Sequence, residues 1–313
     1  MGHGSYKASD WKKLKESRGV AASSTASQLF SNRTMLDKYN PRFINMRESC
    51  DSKDSPESTP IIIGFDVTGS MGYLAEEIAK NALNKTISNI YDKNPVTNPH
   101  IMCAAIGDVC DRAPLQVTQF EADIRIVEQL LELWLEGSGG DAPESFNLLW
   151  YFADRHTKID SYTKRNKKGF LFTIGDAATH PKLSAKDILD VFGDQSADLN
   201  NQQLLADVSE KYEVFHIIVA RETSVASWEN CLPGRIAYIS GRNIQYLSEV
   251  ITTIMQITTG MTKEDAIAQW PEAARTVVAS AVATIHLKPN RIPAAKVEPK
   301  AKKSSFFSSF FNR

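Results

Sequence analysis

The stretch that decides the fold is Ile61-Ile62-Ile63-Gly64-Phe65-Asp66-Val67, which continues as Thr68-Gly69-Ser70-Met71-Gly72. Its first half is a continuous apolar run, as found in strands that are buried on both faces. A strand of this kind belongs to a parallel sheet that helices cover on both sides. The run then ends in an acid, Asp66, where the chain must turn into the next element.

The rest of the chain alternates between helical and strand patterns. After Met71, apolar residues recur at three- and four-residue spacing and predict a helix of about twenty residues. Further strands are predicted at 100–106, 115–120, 170–174, 214–219 and 235–240, and helices at 124–135, 143–152, 204–212, 244–257 and 263–286. This alternation predicts an α/β fold, a doubly wound Rossmann-like domain with a mostly parallel central sheet, whose ligand sites lie at the carboxyl ends of the strands.

Three loops at such strand or helix junctions carry acidic and hydroxyl side chains. The first holds Asp66, Thr68 and Ser70 on alternate residues; the second is Gly137-Ser138-Gly139-Gly140-Asp141-Ala142-Pro143-Glu144; the third is Gly175-Asp176-Ala177-Ala178-Thr179-His180. In a doubly wound sheet all three can converge at one edge. Hard oxygen ligands of this kind suit Mg²⁺, Mn²⁺ or Ca²⁺, and we expect Mg²⁺ first.

With these loops the chain resembles the von Willebrand factor A (vWA) family from about Pro60 to Gly260. The metal-ion-dependent adhesion site (MIDAS) of that family combines an Asp-x-Ser/Thr-x-Ser turn, a residue from a second loop and an Asp from a third. Asp66, Thr68 and Ser70 match the first element and Asp176 matches the third. The sequence looks most similar to a bacterial, phage and protist branch with Gly-Gly-Asp-x-Pro-Glu in the second loop. The resemblance implies metal-dependent protein recognition, without catalytic residues or an organic cofactor.

The second loop departs from the adhesion pattern, because Asp141 stands where the family usually has a neutral Thr. If Asp141 is a ligand, a site with a divalent cation carries a net charge of −1, and its attraction for an acidic partner side chain weakens. Alternatively Ser138 supplies the hydroxyl and Asp141 caps the helix that starts near Pro143. Both alternatives remain open from the sequence.

Three further residues are candidates for supporting roles around the ion. Asp108 follows the second strand and is expected to orient a hydroxyl or a bound water. Glu144 is interpreted as a first-turn helix residue favoured by the helix dipole, and His180 as a hydrogen-bonding loop residue. All three, with Ser138, are possible neighbours of the metal ligands.

The charge pattern separates the body from the two ends. Residues 1–59 have ten basic and seven acidic residues, 60–287 have 19 and 29, and 288–313 have seven and one. The near-neutral total of −1 therefore hides a body of net charge −10, on which nucleic acid is not expected to bind. We predict an N-terminal extension at 1–59, a vWA domain at 60–260, C-terminal helices at 261–287, and a basic linker with a Phe-rich tail at 288–313.

The cysteines and the N-terminal segment predict a cytoplasmic protein. Cys50, Cys103, Cys110 and Cys231 show no CxxC pair and no spacing typical of secreted scaffolds, so reduced thiols are expected. The Ser/Ala-rich segment after Lys12, Lys13 and Lys15 lacks the apolar core of a signal peptide.

The C-terminal tail offers a second binding determinant. Phe306, Phe307, Phe310 and Phe311 would share one face of a helix, behind a basic segment at 300–303. Such a face could dock into a partner's groove or touch an acidic membrane surface. A terminus without a role is the alternative.

Two other functions compete with metal-dependent protein recognition. A metal-dependent phosphoester hydrolase could use the same carboxylates, but phosphatases with an aspartyl nucleophile need a second Asp where this chain has Thr68. The other is a structural scaffold whose metal only stabilises the loops.

Overall fold

The computed structural model describes residues 6, 28, 30, 32–137, 143–220 and 225–287. At its centre is a six-stranded sheet in the order β10-β9-β6-β2-β3-β4, in which all neighbours are parallel except the antiparallel pair β3 and β4. These strands are β2 Thr59–Asp66, β3 Pro99–Ile106, β4 Leu115–Val117, β6 Gly169–Gly175, β9 Tyr212–Val219 and β10 Ile236–Ile239. The predicted α/β fold with a mostly parallel sheet is confirmed.

Two small strand pairs lie outside this sheet. β1 Arg47–Ser49 pairs in parallel with β5 Thr157–Ile159, and β7 Lys182–Leu183 pairs antiparallel with β8 Leu199–Asn200. The first pair joins the N-terminal extension to the body.

Helices cover both faces of the sheet, and the side chains of β2 show why. Ile61, Ile63 and Phe65 point into one apolar cluster and Ile62 into the other, because successive strand residues face opposite sides. The first cluster includes helices α1 Tyr73–Glu77, α2 Leu83–Lys93, α3 Arg125–Leu130, α9 Leu247–Thr258 and α11 Glu272–Ala281; the second includes α4 Phe146–Arg155, α6 Ala185–Phe192, α7 Asn201–Lys211 and α8 Val225–Cys231. The predicted doubly wound arrangement is therefore present.

Two short helices complete the set, α5 Asp160–Arg165 and α10 Lys263–Ala268. Short 3₁₀ helices occur at Asp37–Tyr39, Pro41–Phe43 and Gly241–Tyr246. None of the helices in the described ranges combines the length and the apolar character needed to cross a membrane.

The long helix predicted after Met71 is present, but it is not uniform. α1 passes through a π-helical segment, Ile78–Ala82, into α2, which ends at Asn94 in the left-handed conformation (φ 47°). Its apolar positions, including Leu83, Ile87 and Ile90, are fully buried against the sheet.

The predicted length of the helix at 124–135 was wrong. α3 stops at Leu130 because the chain leaves the helix to meet β4: the Trp134 backbone N–H donates to Gln116 Oε1 at 3.0 Å, and Gln116 Nε2 donates to Trp134 O at 2.8 Å. Apolar spacing alone does not reveal this contact, since Leu131 and Leu133 beyond the end of the helix are buried as well.

The described part of the N-terminal extension packs on the body. Tyr6 and Phe30 are almost fully buried, and Tyr6 Oη donates to Asn84 Oδ1 at 2.6 Å. His100 of β3 lies between the hydroxyls of Ser49 and Ser55, 3.1 and 2.9 Å from its ring nitrogens. The Phe-rich tail lies outside the described residues.

Candidate metal centre

The candidate site lies where the chain reverses its direction of progress across the sheet. From β2 the chain moves outward to β3 and β4, then returns to place β6 on the other side of β2. The carboxyl ends of β2 and β6 therefore meet at a topological switch point, the usual ligand position in open α/β sheets. Asp66 is the last residue of β2, and Asp176 directly follows β6.

The turn after β2 gathers the three residues of the predicted first element. Asp66 Oδ1 accepts hydrogen bonds from the Thr68 backbone N–H at 2.8 Å and from Thr68 Oγ1 at 2.7 Å. The Thr68 and Ser70 hydroxyl oxygens are 3.3 Å apart, and Ser70 Oγ donates to Asp176 Oδ1 at 2.8 Å. The structure thus brings Asp66, Thr68, Ser70 and Asp176 together in one chain of contacts.

The side chain of Asp66 gives the strongest argument that this site suits a cation. Its side chain is fully buried, and among the described residues no donor reaches its Oδ2. Burial, with a smaller contribution from the nearby carboxylates of Asp176 and Asp111, raises the pKa of Asp66 to about 7. A buried carboxylate oxygen without a partner is costly, and a cation would remove that cost.

Glu144 corrects one interpretation made from the sequence. It precedes α4 instead of lying in its first turn, because its backbone pairs with the third loop: the Glu144 N–H donates to Ala178 O at 2.9 Å, and Glu144 O accepts from the His180 N–H at 3.1 Å. Burial and then the negative charge of Asp66 raise its pKa to about 8, partly offset by a hydrogen bond with Thr68. Its Oε2 also has no partner within the described ranges, so the Glu144 carboxylate belongs to the site.

A second group of side chains lies beside the first and fixes the loops. Asp108 Oδ1 accepts from Ser145 Oγ at 2.6 Å and is 2.7 Å from His180 Nε2. Partial burial alone would raise the pKa of Asp108, but these hydrogen bonds lower it. The contact with Asp108 raises the pKa of His180. Asp108 therefore ties the loop after β3 to the loop after β6, with His180 as its hydrogen-bonding partner.

Two residues that position the site escaped the sequence analysis. Gly175 lets the Phe146 ring approach the strand end, since an added Cβ would lie 2.4 Å from Phe146 Cζ and 3.0 Å from Asp66 Cβ. Trp228 of α8 is buried and donates from Nε1 to Ala177 O at 2.9 Å, next to Asp176. An apolar pattern identifies such residues as core, and only the fold shows which loop they hold.

The described donor set is made of oxygen atoms only. Ser138 and Asp141, the two alternatives for the second loop, lie outside the described residues. Within the ranges that are described, no three His, Cys, Asp or Glu side chains converge on one ion position, so the set combines carboxylates with the hydroxyls of Thr68 and Ser70. Carboxylate and hydroxyl oxygens around an orphaned Asp66 Oδ2 fit a hard divalent cation such as Mg²⁺, Mn²⁺ or Ca²⁺.

Comparisons of sequence return no match. No protein-family model matches the chain, and no curated protein matches its sequence. The similarity to known proteins is therefore one of fold.

Solved structures with a similar path include vWA-type domains. A von Willebrand factor type A protein from Catenulispora acidiphila is 12% identical over 65% of this chain and 43% of its own, with a TM-score of 0.41. The pilus adhesin SpaC from Lactobacillus rhamnosus GG, in an open conformation, is 8% identical over 69% of this chain and 31% of its own (TM-score 0.44). Proximal thread matrix protein 1 from the mussel byssus, with a zinc-occupied MIDAS motif, is 9% identical over 66% of this chain and 49% of its own (TM-score 0.43). The matched region spans less than half the length of each of these three proteins.

Proposed function

We propose that the chain binds a partner protein through a divalent cation held at the carboxyl ends of β2 and β6. One observation supports this most directly: Asp66 is fully buried beside two hydroxyls and a second carboxylate, yet its Oδ2 lacks a donor in the described part of the chain. Mg²⁺ is the ion we propose, held by Asp66, Thr68, Ser70 and Asp176. In this role the domain recognises a partner and catalyses no reaction.

The second loop determines what the partner offers to the ion. If Asp141 is a ligand, the cation is surrounded by three carboxylates and favours water or a neutral oxygen; if Ser138 is the ligand, it favours an acidic side chain. The buried carboxyl of Glu144, whose pKa is raised to about 8, is mostly protonated near pH 7 and does not decide between these two cases. We propose the first case, in which Asp141 is a ligand and the partner offers a neutral oxygen.

A cavity beside the site offers the partner a second contact. It has a volume of about 260 Å³, and Val109, Ser145 and His180 contribute to its lining. Because Ser145 and His180 both contact Asp108, a partner side chain in this cavity would lie directly beside the metal loops.

The decisive experiment measures metal binding and partner capture separately. Titration of Mn²⁺ followed by its paramagnetic resonance signal tests the ion, and affinity purification with and without EDTA tests the partner. We expect Asp66→Ala and Asp176→Ala to abolish both, with unchanged circular dichroism. Asp190→Ala is the control, since Asp190 is an exposed carboxylate paired with Lys186.

Two results would contradict the proposal. Mn²⁺ binding that survives Asp66→Ala would move the ion elsewhere, and partner capture that is equal in EDTA would leave the metal a structural role at most. Deletion of 288–313 in the same experiment separates capture through the metal face from capture through the Phe-rich tail. We keep the cytoplasm as the proposed location, because all four cysteines are free thiols.

A further inference from the structure

A second cavity lies at the opposite end of the sheet from the candidate metal centre. It adjoins the amino ends of β2, β6 and β9, where Thr59, Phe170 and Glu213 line it. Its volume of about 490 Å³ is within the range of small-molecule binding sites. The function proposed above makes no use of this cavity.

Two residues that line the cavity each carry a buried hydrogen-bond donor with no acceptor among the described residues. Ser161 and Arg165 stand four residues apart on α5, so both face the same side of that helix. Ser161 is 2% exposed, and no described residue accepts from or donates to its hydroxyl. Arg165 gives one terminal nitrogen to Asp51 and the other to Ser58 O at 2.9 Å, which leaves Nε–H with no acceptor among the residues described. An arginine can only donate, so an acceptor group at this wall of the cavity would satisfy it.

Two lysines add positive charge at the mouth of the cavity. Lys167 has a side chain that is 66% exposed and lies 3.5 Å from a Glu57 oxygen, and Lys168 lies 4.0 Å from Glu213. Glu213 is held more closely by Arg235, at 2.5 Å. Exposed, loosely paired lysines contribute little to stability and remain able to bind an anion.

Part of the remaining wall is apolar. The Phe170 ring is buried and lines the cavity together with Val96. This side suits the carbon skeleton of an organic molecule, whereas the α5 side and the two lysines suit a negatively charged group.

We propose that this cavity binds a small organic anion, with a carboxylate or phosphate group against Ser161, Arg165 and Lys167 and an apolar body against Phe170. The site is independent of the metal centre, since it lies at the other end of the strands and contains none of the metal-ligand candidates.

The test uses the full chain in EDTA, so that no anion is held through a metal ion. Phenyl phosphate and benzoate serve as anionic probes and benzylamine as the cationic counterpart of the same shape, with affinity measured by calorimetry and by amide chemical shifts. We expect the phosphate or the carboxylate probe to bind saturably and to shift amides of 161–168, while benzylamine does not bind. The probe that binds more tightly identifies the anionic group.

Variants assign the binding to the cavity. Ser161→Ala removes a hydroxyl without a partner among the described residues, so the fold is retained, and the affinity for the anionic probe is expected to fall about tenfold. Lys167→Gln should weaken binding severalfold. Lys186→Gln, which removes an exposed lysine on α6, should have no effect and controls for net charge.

Three results would overturn the proposal. These are equal binding of benzylamine, anion binding that Ser161→Ala and Lys167→Gln leave unchanged, and the absence of saturable binding by either anionic probe up to the millimolar range.

Discussion

Ser70 Oγ donates a hydrogen bond to Asp176 Oδ1 at 2.8 Å, across a separation of 106 residues in sequence. The bond joins the loop after β2 to the loop after β6, at the point where the strand order reverses. It exists because two neighbouring parallel strands deliver their carboxyl ends to the same edge of the sheet. The two loops of the proposed metal site are thus already connected through protein atoms.

Ser70→Ala is expected to weaken metal binding while leaving the fold intact. Ser70 is exposed, so loss of its hydroxyl leaves no cavity in the core. It removes one proposed ligand and also the hydrogen bond that orients Asp176, and we expect an affinity loss of about tenfold or more for Mn²⁺ by calorimetry. Ser196→Ala, at an exposed serine far along the chain, is the control. An unchanged affinity in Ser70→Ala would remove this residue from the site.

Asp66→Asn separates the cost of burying the Asp66 charge from the role of Asp66 in binding the cation. In the metal-free protein the asparagine keeps the acceptor for Thr68 and removes a buried charge, so the free energy of unfolding should rise by about 1 kcal/mol. The stabilisation that Mg²⁺ gives to the wild type should vanish in the variant. Chemical denaturation with and without Mg²⁺ measures both quantities.

The two measured quantities should change in opposite directions: the free energy of unfolding without metal should rise, and the stabilisation by Mg²⁺ should fall. A variant that is less stable than the wild type without metal would mean that the Asp66 charge is already compensated inside the protein. A variant that Mg²⁺ still stabilises would place the ion at another site.

Trp228→Phe tests the support behind the third loop. The indole N–H that donates to Ala177 O is lost, and a smaller ring fills the space, so a destabilisation of about 1–3 kcal/mol and a severalfold weaker affinity for Mn²⁺ are expected. Trp150→Phe is the matched control: Trp150 is equally buried and packs edge-to-face on Trp228 with ring centroids 6.0 Å apart, but its indole N–H contacts no acceptor in the described part of the chain. Equal losses of affinity for Mn²⁺ in both variants would mean that Trp228 acts only through core packing and not through its hydrogen bond to Ala177.

The central sheet was predictable because each of its long strands is an apolar run between helical patterns. Elements that depend on contacts between distant parts of the chain were not predictable from the sequence. β1 and β5 have three residues each and, in the part of the chain that the structure describes, pair only with each other, so no local pattern marks them. Glu144 follows a proline and looks like the start of a helix, but its backbone hydrogen bonds go to Ala178 and His180.

One missed element did have a local signal. α6 begins at a capping box in which Ser184 and Asp187 exchange hydrogen bonds, and it ends at Gly193 in the left-handed conformation. Between them Ile188, Val191 and Phe192 are buried at helical spacing. In the site, by contrast, the ligand candidates came from the spacing of Asp66, Thr68 and Ser70 together with the resemblance to the vWA family, whereas the supports Gly175 and Trp228 required the fold.

His216 gives the protein a dependence on acid that does not involve the metal site directly. Its ring is fully buried on β9, stacked on Trp228 at a centroid distance of 3.5 Å, with Thr173 Oγ1 2.8 Å from Nδ1. Burial lowers the pKa of His216 well below 6.5, so the folded protein keeps the ring neutral while the unfolded chain takes up a proton as the pH falls through 6.5. The contribution of His216 to stability is therefore complete above that pH and decreases below it, by up to about 2 kcal/mol between pH 7 and pH 5.

His216→Phe should remove this contribution. The difference in the free energy of unfolding between pH 7 and pH 5, measured by urea denaturation, should become smaller by the same amount, whatever the effect of the substitution at pH 7. His286→Gln, at an exposed histidine, should leave the difference as in the wild type, and an unchanged pH dependence in His216→Phe would show that another buried group accounts for it.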